Sequence, residues 1–255
     1  MTSSLYGKKI LVTREESQSK EFAEKVIEHG GKPIEAPLLK ITCIENDTVQ
    51  YFDAIDKYQW IFFTSANGVR CFFQLAEKYN LDLYKLQKIQ IAAVGRKTDK
   101  ALKAYGFSAD FVPTIYNADI MSKEFINNFQ ADRPILLVQG TRSRDVLPEE
   151  FSRKRIAFDT MVVYETSFNE EAAGTLNDIL QRRDLDFITF TSPSAAEAFM
   201  QTAKTKSDAI CVCIGTTTKI RASELGFTSI ISADEFTIEG MIECMSNYIT
   251  AERMD

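Results

Sequence analysis

The stretch "WIFFTSANGVRCFFQLAEKY" (60–79) decides the fold. Trp60-Ile61-Phe62-Phe63 is a run of four large apolar residues without polar alternation, the pattern of a strand buried on both faces. The chain then turns small and hydroxylated at Thr64-Ser65-Ala66-Asn67, reaches Gly68 and resumes with Val69. Val69, Phe72, Phe73, Leu75 and Ala76 follow the i, i+3, i+4 rhythm of a helix with one buried face. The stretch is therefore strand, hydroxylated turn, helix.

The same sentence is written again at 186–205, "DFITFTSPSAAEAFMQTAKT". Working outward, "QIAAVGRKTDKALKAYGF" (90–107) is echoed by "AICVCIGTTTKIRASELGF" (209–227), and "KKILVTREESQSKEFAEKVIEHGGKPIEAPLLKI" (8–41) by "RPILLVQGTRSRDVLPEEFSRKRIAFDTMVVYE" (133–165). The tails "ADFVPTIYNADIMSKEF" and "TSIISADEFTIEGMIECM" agree in kind, each giving a strand, a turn and a helix. Matching blocks in one order identify an internal repeat. Alternating helices and continuously apolar strands require parallel sheets covered on both faces, so the fold class is α/β with two copies of a doubly wound unit. The boundary between the copies falls near Ala131-Asp132.

The chain has 255 residues, 45% hydrophobic and 26% charged, enough for one large or two moderate domains. No apolar run approaches the ~20 residues of a membrane span, and none near the start suits a signal peptide, so a cytoplasmic protein is expected. Net charge is −6, which argues against nucleic acid as partner but leaves room for a small anion in a local pocket. The cysteines, Cys43, Cys71, Cys211, Cys213 and Cys244, are odd in number, lie in apolar segments and lack CxxC spacing; packing cysteines are expected. The single histidine, His29, beside Gly30-Gly31, reads as a cap at a helix end. A histidine metal centre or a Ser-His-Asp triad lacks its residues, and no metal is expected.

In doubly wound sheets ligands gather outside the carboxyl ends of the strands. The hydroxyl clusters lie there: Thr64-Ser65, Thr191-Ser192, Gly95 with Thr98, and Gly215 with Thr216-Thr217-Thr218. The first strand of each copy adds Thr13-Arg14 and Gly140-Thr141-Arg142-Ser143-Arg144. A single such residue is accounted for as a helix N-cap worth ~1 kcal/mol. Six strand ends together point to a ligand with several anionic groups, because helix N-termini favour carboxylates and phosphates. "VGRKT" and "IGTTT" contain no GxGxxG, and GxxxxGK[ST] is absent, so NAD and ATP fit poorly.

In their order, "VTRE", "FTSANGV", "AVGRKT", "GTRSRD", "VVYET", "FTSPSA" and "IGTTT" resemble the uroporphyrinogen-III synthase family across essentially the whole chain. The resemblance implies two flavodoxin-like, doubly wound parallel-sheet domains joined by a two-stranded crossover, with the active site in the cleft between them. One domain would comprise 1–37 plus 167–255 and the other 40–163, with crossings at "APLLKI" (36–41) and "VVYETS" (162–167). The implied reaction is cyclisation of hydroxymethylbilane, a linear tetrapyrrole with eight carboxylates, to uroporphyrinogen III with inversion of ring D and loss of water. No cofactor is implied; a monomer is, and transient contact with the deaminase that makes the bilane fits the same picture.

By this resemblance Tyr164, on a crossing strand, is the candidate proton donor for the departing hydroxyl. The substrate-binding set is Arg14, Thr64, Ser65, Gly95, Thr98, Thr141, Arg142, Arg144, Thr191, Ser192, Gly215, Thr216, Thr217 and Thr218. The arginines suit carboxylates through their forked donors. The residues alone also fit a two-lobed binding protein or sensor for a polyanion, without chemistry.

Overall fold

The computed structural model describes residues 5–45 and 48–252. The chain opens with β1 (Lys9–Val12), α1 (Glu16–Glu28), β2 (Lys32–Glu35) and β3 (Leu39–Cys43). It continues through α2 (Val49–Asp53), β4 (Trp60–Phe63), α3 (Ala66–Lys78), β5 (Gln90–Ala93), α4 (Arg96–Lys103), α5 (Ala118–Asn128), β6 (Ile135–Gly140) and α6 (Val146–Arg153). The last part comprises β7 (Phe158–Phe168), α7 (Ala172–Gln181), β8 (Phe187–Phe190), α8 (Pro193–Thr202), β9 (Ile210–Cys213), α9 (Thr216–Glu224), β10 (Ile230–Ser232) and α10 (Ile238–Glu252). Two compact units result. Unit 1 holds Met1–Lys40 and Ser167–Asp255, and unit 2 holds Ile41–Thr166. The chain passes from one to the other within β3 and again within β7.

Each unit carries one five-stranded sheet: β10-β9-β8-β1-β2 in unit 1 and β3-β7-β6-β4-β5 in unit 2. All pairings in the unit 1 sheet are parallel, as are β5 with β4, β4 with β6 and β6 with β7 in unit 2. The apolar run at 60–63 is explained by two cores. Trp60 and Phe62 pack with Phe125, Leu137 and Phe151 on one face of the sheet, while Ile61 and Phe63 pack with Phe72, Val138 and Met161 on the other. Burying each such side chain contributes ~1.5–3 kcal/mol, so both faces of this strand hold unit 2 together. Unit 1 repeats the division: Phe187 joins Ile10, Val12 and Val212, while Ile188 and Phe190 join Leu11, Cys211 and Cys213. His29 holds its own helix end as expected, with Nδ1 2.9 Å from the Lys25 carbonyl.

The cysteine expectation needs correcting. Cys43, ending β3, and Cys71, in α3, form a disulfide with Cα atoms 5.3 Å apart. That separation is in the ordinary range for a bridge. A sequence separation of 28 residues carries no pairing signal; only the docking of α3 beside the β3 end creates one. Cys211, Cys213 and Cys244 remain free thiols, and Cys211 and Cys213 pack as the sequence suggested. Among the described residues no helix is long and apolar enough to cross a membrane.

Candidate active site

The strand-end hydroxyls are placed by the helices they open. Ser65 has extended backbone angles and caps α3, accepting from the Gly68 N–H at 2.9 Å. Ser192 caps α8 in nearly the same conformation, accepting from the Ala195 N–H at 3.2 Å. The strand must stop here because the next amides need acceptors that a β ladder cannot give, and a serine side chain supplies one.

In unit 2 the capping serine does something more. Ser65 Oγ also donates to the Tyr164 Oη at 3.0 Å. Tyr164 reaches it through an irregularity in the ladder: Gln139 is paired with Val162, but Gly140 with Tyr164. The extra residue is a bulge, a device that re-aims a side chain. Val163, on the bulged segment, stays in the core, and its carbonyl accepts from the Ile44 N–H at 2.8 Å. The Tyr164 ring lies over Gly140, where a Cβ would fall 2.3 to 2.9 Å from Cζ, Cε2 and Cε1. A Cβ on Gly68 would stand 3.3 Å from Ser65 Oγ and 3.8 Å from Tyr164 Cε1. The phenol is thus seated on a bare backbone, with its oxygen accepting from Ser65.

The other sequence candidates divide into those at the surface and those within. Thr141, Arg142 and Arg144 are exposed after β6, and the Thr141 N–H donates to the Tyr164 carbonyl at 3.0 Å. Arg144 reaches Asp119 at 3.4 Å. Thr64 Oγ1 donates inward to the Val138 carbonyl at 3.3 Å. Thr98 and Thr218, each 3% exposed, are buried within α4 and α9, whereas Thr216 and Thr217 are exposed. Gly95 and Gly215 cap α4 and α9, and Thr191 is half-buried at the end of β8. Arg14, at the end of β1, is half-buried; burial lowers its pKa, opposed by the nearby Glu21 and Glu15. The neighbouring Thr13 is spent on the fold, donating to the Thr189 carbonyl at 2.6 Å while Thr189 donates to Leu11 at 2.8 Å.

Gly68 and Gly140 stand in strand-end motifs but lie outside the substrate-binding set drawn from the sequence. Their signal was present, since each is the glycine of a strand-end motif, but its meaning depends on where the Tyr164 ring comes to rest. Among the described residues no group of three or more His, Cys, Asp or Glu side chains is arranged to hold a metal ion. A depression of about 550 Å³ in unit 1 is lined by Phe168, Asn169, Gly174, Asn177, Thr202 and Lys204 among others. It reaches the C-terminal end of α8, away from the Ser192 cap, and includes none of the candidate site residues.

The sequence model of the family described as uroporphyrinogen-III synthase HemD matches residues 20–243. The porphyrin biosynthesis protein HemD of Ruminiclostridium josui is 30% identical over 247 residues, covering 95% of this chain and 49% of that protein. The chain therefore spans about half the length of this relative. The uroporphyrinogen-III synthase of Chlorobaculum parvum is 28% identical over 234 residues, 90% of this chain and 94% of that one. Among solved structures, uroporphyrinogen-III synthetase from Helicobacter pylori matches with a TM-score of 0.66 at 20% identity, over 93% of this chain and 97% of that one. The Thermus thermophilus synthase matches at 0.64 and 16% identity, over 98% and 100%. At such identities the structural likeness speaks for the fold alone.

Proposed function

Because the chain belongs to the uroporphyrinogen-III synthase family, enzymes acting on a small tetrapyrrole, we propose that it closes hydroxymethylbilane to uroporphyrinogen III, with Tyr164 as the proton donor. The observation that carries this reading is the seat of Tyr164 on Gly140 with Ser65 at its oxygen.

The chemistry needs little acid strength. A pyrrole ring pushes electrons toward its hydroxymethyl carbon, so the C–O bond breaks once the oxygen is protonated. Tyr164 gives its proton, water leaves and an azafulvenium cation remains, its charge balanced by the phenolate. The developing phenolate keeps the Ser65 hydrogen bond, which strengthens as charge builds because charge-assisted bonds are roughly twice as strong as neutral ones. The substituted α-carbon of ring D attacks that methylene, and its older bond to the methylene shared with ring C breaks. The free α-carbon of ring D then bonds the released methylene, which inverts the ring and closes the macrocycle. The proton released as the last ring regains aromaticity restores the phenol. Balance is one bilane to one macrocycle and one water.

The harder task is geometric, because the bilane in water closes without inversion to isomer I. Holding it by its carboxylates converts a choice of reacting carbons into a matter of position. Exposed Arg142 and Arg144 and the capped helix start after β4 supply donors for acetates and propionates. The same reading makes the protein a cofactor-free, cytoplasmic monomer that takes its unstable substrate from the preceding deaminase.

The decisive experiment generates hydroxymethylbilane in situ from porphobilinogen and its deaminase, adds this protein, oxidises, and separates uroporphyrin I from III. Protein-dependent excess of isomer III is expected. Isomer I alone, from folded protein, would overturn the reading and leave a non-catalytic polyanion binder. Tyr164→Phe should lower turnover by about a hundredfold with the fold intact; unchanged turnover would remove Tyr164 from the mechanism.

A further inference from the structure

Both units keep an exposed aromatic ring at one and the same place. In unit 2 it is Tyr116, 49% exposed, and in unit 1 it is Phe236, 68% exposed. Each follows the last extended segment of its repeat and precedes the helix that closes it, α5 or α10. Each sits at the centre of a three-residue turn, with the Asn117 N–H donating to the Ile115 carbonyl and the Thr237 N–H to the Glu235 carbonyl, both at 2.8 Å. The next residue then takes up an amide of the following helix: Asn117 accepts from Ile120 at 2.8 Å and Thr237 from Gly240 at 3.0 Å.

Each ring also leans on the glycine that caps the helix following a strand, Gly95 after β5 or Gly215 after β9. A Cβ on Gly95 would lie 3.0 and 3.1 Å from Cβ and Cγ of Tyr116, and one on Gly215 2.6 and 2.7 Å from Cδ1 and Cε1 of Phe236. Single exposed apolar residues are common and need no explanation. Here the turn, the cap and the glycine are all repeated, although the flanking residues differ, Ile115 in one copy and Glu235 in the other. A backbone that is built twice to hold a large ring in water reduces the ordering cost when a flat partner arrives.

In unit 2 the position can be measured against Tyr164. The sheet order β7-β6-β4-β5 puts the Tyr164 end and the Gly95 end three strand spacings apart, about 14 Å. That distance is within reach of four pyrroles joined by single methylenes. The Arg96 guanidinium lies 5.8 Å from the Tyr116 ring centroid, so a flat apolar surface and a cation stand together. A pyrrole bearing acetate and propionate presents the complementary pair, a flat ring with charges at its edge.

Resting on the proposed synthase activity, we propose that Tyr116 is a substrate-contacting residue whose ring packs against a pyrrole of the bilane other than the one losing its hydroxyl. The contact is made before and during reaction alike, so it acts on binding and on retention of the folded bilane more than on bond breaking.

The test compares the parent with Tyr116→Ala, Tyr116→Leu and Tyr116→Phe in the deaminase-coupled assay, reading KM, kcat and the ratio of isomers III and I. Tyr116→Ala should raise KM about fivefold, the size of an aromatic contact, with a smaller change in kcat and a larger share of isomer I. Tyr116→Phe should restore the parent values, since the ring and not the hydroxyl is required. Parent KM and isomer ratio in a folded Tyr116→Ala protein would overturn the proposal. Should that variant fail to fold, Tyr116→Leu keeps the bulk without the ring, and parent behaviour there would overturn it equally. A parent protein that makes no isomer III would refute the synthase reading itself, a result separable from these.

Discussion

Ser65 and Ser192 occupy matching places in the two units, one after "FFT" and one after "TFT", and differ in what lies across from them. Both cap a helix from an extended conformation. Ser192 has Ser194 Oγ at 3.1 Å, a neighbour from its own helix turn. Ser65 has Tyr164, ninety-nine residues away. The crossing segments explain the difference: at the third position of 162–167 unit 2 has Tyr164, while at the third position of 36–41 unit 1 has Leu38, buried in its own core. A duplicated fold thus keeps the same scaffold twice and lets one unit set a tyrosine hydroxyl against its capping serine. A capping serine that serves the fold alone in unit 1 gains a second partner in unit 2, where a bulge brings it a tyrosine.

The largest expected difference between the units comes from the disulfide, present only in unit 2. Replacing Cys43 and Cys71 by serine should lower stability by about 3–4 kcal/mol, the loop-closure value for this separation. Hydrogen exchange should show the loss in 41–166. A melting temperature indifferent to reductant would refute a stabilising bridge.

Next in size is Gly140→Ala. The added Cβ must displace the Tyr164 ring, so a loss of about 1–3 kcal/mol is expected from overpacking, with turnover falling at least as far as in Tyr164→Phe. Gly174→Ala in α7 is the contrast, because its Cβ would meet nothing within 4 Å; it should stabilise unit 1 by about 0.5–1 kcal/mol. Equal effects of the two changes would mean that the ring is not seated as described.

Removing the paired caps sharpens the comparison further. Ser65→Ala and Ser192→Ala should each cost about 1 kcal/mol in denaturant titrations. Only Ser65→Ala should also slow turnover, by roughly tenfold, the value of a hydrogen bond to a charged group. Similar kinetics in both variants would separate Ser65 from the phenol.

The smallest effect concerns acid stability of unit 2. Asp159 is held below the usual carboxylate range, first by the hydrogen bond from Lys57 at 2.8 Å, against the opposing effect of burial, and then by the Tyr58 hydroxyl at 2.7 Å. A folded value below the unfolded ~3.9 stabilises the protein above that pH, and the contribution fades as pH falls through the folded value. Asp159→Asn should flatten this part of the acid limb; an unchanged limb would show that the carboxylate is not depressed.

Much of this was legible in the chain. Buried strands at 60–63 and 187–190 declare themselves because a parallel sheet covered on both faces leaves no polar side, and Ser65 and Ser192 announce helix starts because amides at a strand end need an acceptor. The repeat followed from the order of such blocks. The disulfide was not legible, since Cys43 and Cys71 belong to elements whose docking no local pattern encodes. Thr98 and Thr218 read as surface hydroxyls because a first helical turn has both an outer and an inner side, and the sequence does not say which side these take. Local rules of burial, capping and periodicity determined the elements, their duplication and the end of the sheet where a ligand belongs. What only tertiary structure decided is which residue meets which: a one-residue bulge after Gln139 set Tyr164 upon Gly140 and beside Ser65, because register between distant strands is fixed by packing across the whole sheet rather than by neighbours along the chain.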